Sequence, residues 1–179
     1  VANGSGCCGA LPHHMGKAER AHALGAANLA AWTREIEGEG LDAIVVTASG
    51  CGTTVKDYGV LFQKSAEWAE KAARVAGLAK DISEVLQGLG PIEASAPRPL
   101  KVAYHSACSM QHGQKVIEQP KKLLREAGFV VKDVPEGHLC CGWAGTYQVL
   151  QPDLSRRLRD RKVANIESVK PDVIAAGNF

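Results

Sequence analysis

Apolar residues recur every three to four positions between Lys17 and Glu37, which predicts an amphipathic helix. Gly38 and Gly40 follow this segment, and glycine commonly ends a helix. The next apolar run, Ala43–Thr47, is continuous and of strand length, which is typical of a strand buried in a parallel sheet. The pattern therefore predicts a long helix that leads into a buried strand.

The same alternation continues along the rest of the chain. Further helices are predicted over residues 53–61, 66–78, 82–89, 113–127 and 152–169, and further strands over residues 100–105, 129–134 and 172–176. Pro120 breaks the helix over residues 113–127 unless a second helix begins there. Strands that alternate with helices predict an α/β fold in which parallel strands are flanked by helices.

The chain also contains an internal repeat. The strings CCGALPHH and CCGWAGTY each lead into a helix of about 20 residues, an acidic residue (Asp42 or Asp172) and an apolar strand. A proline-rich linker over residues 91–99 separates the copies. We predict two units, 1–90 and 100–179, the first incomplete at its N-terminal side and the second at its C-terminal side, since each lacks a cysteine that the other has.

Composition excludes several classes of function. The 179 residues are 45% apolar and 22% charged, with a net charge of +2 and with basic and acidic residues well mixed. We therefore expect a globular protein without a nucleic-acid partner. No apolar run reaches the roughly 18 residues of a membrane-spanning helix. The opening VANGSG lacks a signal-peptide pattern, so the chain is expected to be processed or part of a longer protein.

The cysteines are the residues that indicate a functional site. Adjacent cysteines pair with each other only through a strained ring, and a chain of this size folds without disulfides, so metal or cluster ligation is favoured over a disulfide framework. Cysteines follow the carboxyl ends of predicted strands, where loops distant in sequence converge. We predict two sites, one formed by Cys7, Cys8 and Cys51 and the other by Cys108, Cys140 and Cys141.

Thiolates are soft ligands that suit iron-sulfur clusters and zinc. A turn, which the following glycine makes easy, brings both sulfurs of an adjacent pair to one side. His105 and His138 lie near the second set in sequence and are candidates for a fourth ligand, although a histidine beside a turn more often hydrogen-bonds a ligand. Spacing alone does not choose between an iron-sulfur cluster, zinc and unreactive buried cysteines.

The order of the cysteines resembles the cysteine-rich CCG domain, which occurs in tandem in heterodisulfide reductases, lactate-utilisation proteins and the iron-sulfur subunit of glycolate oxidase. The strings GCCGALPHHMG, TASGCGTTVKDYG, HLCCGWAGTY and PDVIAAGN are most similar to the glycolate oxidase iron-sulfur subunits. One departure concerns the end of the chain, where Gly177, Asn178 and Phe179 stand in place of the family's continuation to a further cysteine.

The resemblance implies a non-catalytic, electron-transfer part of a glycolate oxidase (glycolate dehydrogenase) complex. It implies that all six cysteines hold a cofactor of the 4Fe-4S type, as in heterodisulfide reductase relatives, with zinc as the alternative. The implied partners are flavin-containing subunits that pass electrons toward a membrane quinone, and the implied location is cytoplasmic, with peripheral attachment to the inner face of the membrane.

Two other functions stay open. The first is a zinc-binding or metal-free structural or assembly domain of a redox complex. The second is a thiol enzyme with Cys141 as nucleophile, which the sequence supports less because only His138 signals a base. A basic run on the 152–169 helix is interpreted as a solvated face, with docking to an acidic partner as the alternative; it consists of Arg156, Arg157, Arg159, Arg161 and Lys162.

Overall fold

The computed structural model describes residues 1–90 and 99–177. The chain divides into two compact units, Val1–Ile82 and Ser83–Phe179. The predicted linker over residues 91–99 lies outside the described residues except for Pro99. Each unit contains one adjacent cysteine pair and one further cysteine.

The first unit is mainly helical around a short parallel sheet. Its helices are α1 (Ala10–His14), α2 (Ala18–Glu37), α3 (Ser49–Lys56), α4 (Tyr58–Leu61) and α5 (Ala69–Leu78). Its strands, β1 (Ile44–Val46) and β2 (Ala79–Asp81), pair in parallel with Ile44 opposite Ala79.

Helix α2 forms because its small and apolar residues fall on one face. Ala21, Gly25, Asn28 and Leu29 are buried on this face, at the three- and four-residue spacing that lines one side of a helix. Leu29 belongs to a core cluster that includes residues of β1, α3, α4 and α5 and the residue directly after α4: Ile44, Val55, Tyr58, Val75 and Phe62. Asn28 is a polar side chain on this buried face and is only 1% exposed, so its amide group needs hydrogen-bond partners inside the protein.

The second unit is built on a three-stranded parallel sheet of order β4-β3-β5. Its strands are β3 (Lys101–His105), β4 (Val130–Asp133) and β5 (Val173–Ala176), and its helices are α6 (Ile82–Leu89, which begins at the unit boundary), a π-helix (Ser109–Gln114), α7 (Gln119–Glu126), α8 (Tyr147–Leu150) and α9 (Pro152–Ser168). Ala103 of β3, Val134 and Ile166 of α9 form a buried cluster. Pro152 begins α9, a position where a missing N–H costs nothing.

The predicted α/β class with parallel strands is confirmed, and the differences are local. The predicted 53–61 helix begins at Ser49 and divides into α3 and α4. The predicted 113–127 helix is replaced by the π-helix and α7, and Pro120 lies in the first turn of α7, so a second helix does begin there. Strand β2 escaped prediction because its Ala-Lys-Asp sequence contains no apolar run.

No helix in the described parts of the chain is both long enough and apolar enough to cross a lipid bilayer.

Candidate metal centre

The first cysteine set comes together within the first unit. Cys7 and Cys8 lie in the turn before α1, and Cys51 lies in the first turn of α3, after the carboxyl end of β1. A hydrogen bond between the thiols of Cys8 and Cys51 lowers the pKa of Cys51 to about 7, against the effects of burial and of the nearby Cys7 charge. The same hydrogen bond, together with burial, raises the pKa of Cys8.

Two buried polar side chains fix the backbone of this cysteine pair. The Asn28 side-chain oxygen accepts a hydrogen bond from the Gly6 amide at 2.7 Å, and its nitrogen donates to the Cys7 carbonyl at 3.0 Å. The Tyr58 hydroxyl donates to the Cys8 carbonyl at 2.8 Å and accepts from the Asn28 nitrogen at 3.2 Å. Three consecutive residues of the turn are therefore held from α2 and α4.

The Tyr58 hydroxyl keeps its proton in this setting. Burial raises its pKa to about 12, and the nearby cysteines act in the same direction, although the hydrogen bond with Asn28 acts against the shift. A protonated phenol is needed because the Cys8 carbonyl can only accept a hydrogen bond.

The second cysteine set comes together within the second unit. Cys108 lies three residues after the end of β3 and directly before the π-helix, and Cys140 and Cys141 lie in the loop between β4 and α8. Burial raises the pKa of Cys108, and the neighbouring Cys140 and Cys141 charges raise it further. These interactions show that the three sulfur atoms share one electrostatic environment.

The two candidate histidines of the second set behave differently. A hydrogen bond from the His105 ring lowers the pKa of Cys141. The His138 side chain is exposed, and its backbone carbonyl lies 3.1 Å from Nε2 of His112. Of the two, His105 is thus the one that contacts a cysteine in the structure.

Both CCG turns direct backbone N–H groups at sulfur. The Gly142 amide donates to Cys140 Sγ at 3.3 Å. The amides of Ala10 and Trp143, each two residues after the second cysteine of its pair, donate to Cys8 and Cys141 and favour their thiolate forms. Donors aimed at sulfur stabilise negative charge there, as ligation of a metal requires.

The glycine of each CCG turn has a left-handed backbone and packs tightly against the long helix of its repeat, α2 or α9. Gly9 has φ of 84°, and a Cβ atom placed on it would lie 2.9 Å from the Ala21 carbonyl oxygen in α2. Gly142 has φ of 90°, and its Cβ would collide with the Ser155 carbonyl oxygen in α9. The Ser155 hydroxyl donates to the Gly142 carbonyl at 2.9 Å, which fixes the second turn to its helix.

The donor chemistry of each set fits a thiolate-bound metal centre. Each set supplies three cysteine sulfurs, and backbone N–H groups are directed at Cys8 in the first set and at Cys140 and Cys141 in the second. Across residues 1–90 and 99–177, no three His, Cys, Asp or Glu side chains already stand in a complete metal-ligand arrangement. A metal would therefore require adjustment of the cysteine side chains.

Three side chains that support the sites were not singled out from the sequence. Asn28 belongs to no motif, Tyr58 lies in the TASGCGTTVKDYG string without a predicted role, and Lys162 is predicted to lie on a solvated basic face. That prediction is wrong for Lys162, which is 4% exposed and donates to the Glu136 carbonyl at 2.9 Å. It is right for Arg156, Arg159 and Arg161, which are exposed and pair with nearby carboxylates. Asn28 and Lys162 lie 20 and 21 residues after the second cysteine of their pairs and differ in type, so the sequence marks neither of them.

A comparison with protein families agrees with the presence of a CCG turn in each unit. The sequence profile of the cysteine-rich (CCG) domain matches residues 1–56 and 102–178, which include all six cysteines. The chain belongs to the cysteine-rich CCG domain family. The matched ranges cover most of the chain and give the CCG domain one copy of its turn in each unit.

Relatives of this CCG protein include two glycolate oxidase iron-sulfur subunits and a lactate utilization protein. The chain is 45% identical over 99% of its length to the glycolate oxidase iron-sulfur subunit of Escherichia coli (strain K12) and 30% identical over 96% to the probable glycolate oxidase iron-sulfur subunit of Bacillus subtilis (strain 168). It is 33% identical over 76% of its length to lactate utilization protein A of Bacillus licheniformis. The chain spans 44%, 38% and 58% of these relatives, respectively.

Proposed function

We propose that this chain is the cysteine-rich part of an iron-sulfur, electron-transfer subunit of a glycolate oxidase complex. The observation that carries the proposal is that in each unit cysteines from two separate segments interact electrostatically, with backbone N–H donors directed at Cys8, Cys140 and Cys141. The 45% identity to a glycolate oxidase iron-sulfur subunit supports the choice of complex.

In this proposal Cys7, Cys8 and Cys51 hold one centre and Cys108, Cys140 and Cys141 hold the other. A bound iron-sulfur cluster would supply reversible one-electron chemistry, and we propose the 4Fe-4S type. The protein holds the sulfurs, donates backbone hydrogen bonds to them and supports the turns through Asn28, Tyr58 and Ser155. His105 would support Cys141 through its hydrogen bond.

The proposed partners are the flavin-containing subunits of the complex, which would deliver electrons from glycolate, and a membrane quinone would be the final acceptor. The chain would act on the cytoplasmic side, attached to the membrane only through the complex. These assignments rest on the resemblance to the glycolate oxidase iron-sulfur subunits.

The test is anaerobic purification of the natural full-length protein that carries this chain, followed by iron, sulfide and zinc analysis. We expect iron and acid-labile sulfide, and an absorbance band at about 400 nm that is lost on reduction. The double variant Cys140→Ser, Cys141→Ser should lose the iron, sulfide and absorbance of one centre, whereas the control variant His138→Ala should retain them. An iron-free, colourless protein would contradict the proposal.

A zinc-binding structural domain is the second candidate, and the contact between His105 and Cys141 favours it. Three cysteines and one histidine are a common ligand set of structural zinc sites. Stoichiometric zinc without a reducible absorbance band would support this function, and His105→Ala would then weaken zinc binding while His138→Ala would not.

A further inference from the structure

Each of the two repeats has one buried polar side chain at an equivalent position of its long helix, α2 or α9. The CCG glycines identify matching positions in the helices that follow, because Gly9 packs on Ala21 and Gly142 packs on Ser155. Seven residues later, two helical turns along the same face, lie Asn28 in α2 and Lys162 in α9. Both are almost fully buried, at 1% and 4% exposure.

The two side chains perform the same backbone task. Asn28 binds Gly6 and Cys7, at the beginning of the first CCG turn. The Lys162 amine donates to the carbonyl of Glu136, four residues before Cys140. Each side chain therefore ties its helix to the segment that carries the adjacent cysteines.

The two side chains differ in charge, and that charge acts on the second cysteine set. Lys162 and Cys140 line the same shallow cleft, and the Lys162 charge opposes the rise in the pKa of Cys108. Glu136 lines the same cleft, and its carboxylate is engaged by Arg161 and by Asn165 Nδ2 at 2.8 Å. Within residues 1–90 and 99–177, no carboxylate forms an ion pair with Lys162.

We propose that Lys162 is a positioning residue that supplies a fixed positive charge to the second centre, so that the second centre favours a more negative bound state than the first. At the equivalent place the first centre has the neutral Asn28 amide. The inference rests on the proposed role of Cys108, Cys140 and Cys141 as metal ligands, but it does not depend on which metal they hold.

The test uses Co²⁺ as the probe and the 179-residue chain with Cys7, Cys8 and Cys51 replaced by serine. Three thiols that bind one Co²⁺ release three protons, so the site becomes more negative by one charge, and a nearby cation favours that change. Titrations are followed at pH 6 through the cobalt-thiolate absorbance. Circular dichroism confirms that each variant is folded.

We expect Lys162→Gln, which keeps an N–H donor without the charge, to weaken Co²⁺ binding roughly three- to tenfold. Lys162→Arg keeps the charge and should restore binding. Arg157→Gln removes an exposed cation from the same helix and should leave binding unchanged within about twofold, because exposed charges are screened. Lys162→Met is the replacement if the glutamine variant does not fold.

Equal affinities for Lys162→Gln and the parent chain would overturn the inference, as would a parent chain whose second set binds no Co²⁺. The outcome is independent of the iron analysis described above. Weakened Co²⁺ binding in Lys162→Gln, combined with a full-length protein that contains no iron, would support the role of Lys162 and contradict the iron-sulfur proposal alone.

Discussion

At the scale of single residues, the three cysteines of the first set differ in exposure and in hydrogen bonding. Cys7 is exposed, Cys8 is 7% exposed, and Cys51 is half-buried and shares a hydrogen bond with Cys8. A shared hydrogen bond stabilises a thiolate on one partner while the other keeps its proton. The lowered pKa of Cys51 and the raised pKa of Cys8 favour the thiolate on Cys51.

This difference predicts the pH dependence of alkylation in the reduced, metal-free chain. Because the pKa of Cys51 is lowered to about 7, its thiolate is present above pH 7 and is lost as the pH falls below that value. Iodoacetamide labelling of Cys51, measured by peptide mass spectrometry, should therefore have a midpoint near pH 7. Cys8, whose pKa is raised, should stay unlabelled at that pH.

Cys8→Ala is the matched variant, since it removes the hydrogen bond to Cys51. The labelling midpoint of Cys51 should then move to higher pH. An unchanged midpoint would show that Cys8 does not set the reactivity of Cys51.

Tyr58 predicts an effect on stability. Tyr58→Phe leaves the buried Cys8 carbonyl without its donor and should lower the free energy of unfolding of the first unit by about 1–3 kcal/mol. Urea unfolding followed by circular dichroism measures this change. Tyr147→Phe is the control, because Tyr147 is only half-buried and its hydroxyl makes no hydrogen bond within the described parts of the chain.

At the scale of elements, each CCG turn and the long helix of its repeat, α2 or α9, behave as one structural unit. In both repeats the turn contacts the first turn of that helix through a left-handed glycine, and a side chain two turns farther along holds the segment before the cysteines. The helix therefore supports the turn at two points, and the residue types that fit in the helix are restricted at both points.

Gly142→Ala tests the first of these points. A left-handed alanine costs roughly 1–2 kcal/mol, and its Cβ would also push against the Ser155 backbone, so we expect a total loss of about 3 kcal/mol or more in unfolding free energy. Gly16→Ala is the control: Gly16 has φ of 73° but open space around it, so its cost should stay near 1 kcal/mol. Equal costs for both variants would show that contact with Ser155 has no effect.

At the scale of the whole molecule, the chain keeps each cysteine set within one unit. Cys7, Cys8 and Cys51 fall in Val1–Ile82, whereas Cys108, Cys140 and Cys141 fall in Ser83–Phe179. The described sheets likewise do not mix, because β1 pairs with β2 and β3 pairs with β4 and β5. Each centre should therefore form without the cysteines of the other.

This separation predicts metal stoichiometry. The reduced chain should bind about two Zn²⁺ ions, one for each cysteine set, and serine replacement of either set should leave about one. Inductively coupled plasma mass spectrometry after dialysis measures the bound zinc. Loss of both ions from either triple variant would show that the sets form one shared site.

Sequence patterns predicted the elements with strong periodicity and missed those that depend on tertiary contacts. Helices α2 and α9 match their predicted ranges to within one residue at each end because apolar spacing and terminal residues define them. Strand β2 is stabilised by pairing with β1, and its own residues carry no strand pattern. Residue type and spacing were enough to single out the cysteines in the sequence. The hydrogen bonds of Asn28 and Tyr58 could not be predicted in this way, because they join residues 21 to 50 positions apart.

The support that Asn28 gives to the first turn has a consequence for the order of events during assembly. Gly6 lies close to the beginning of the chain and is exposed, yet its amide is held by a buried side chain. Its backbone proton should exchange slowly with deuterium in the metal-free protein. The conformational entropy of the ligand loop is then lost during folding, so that incoming metal meets a turn whose backbone is already ordered.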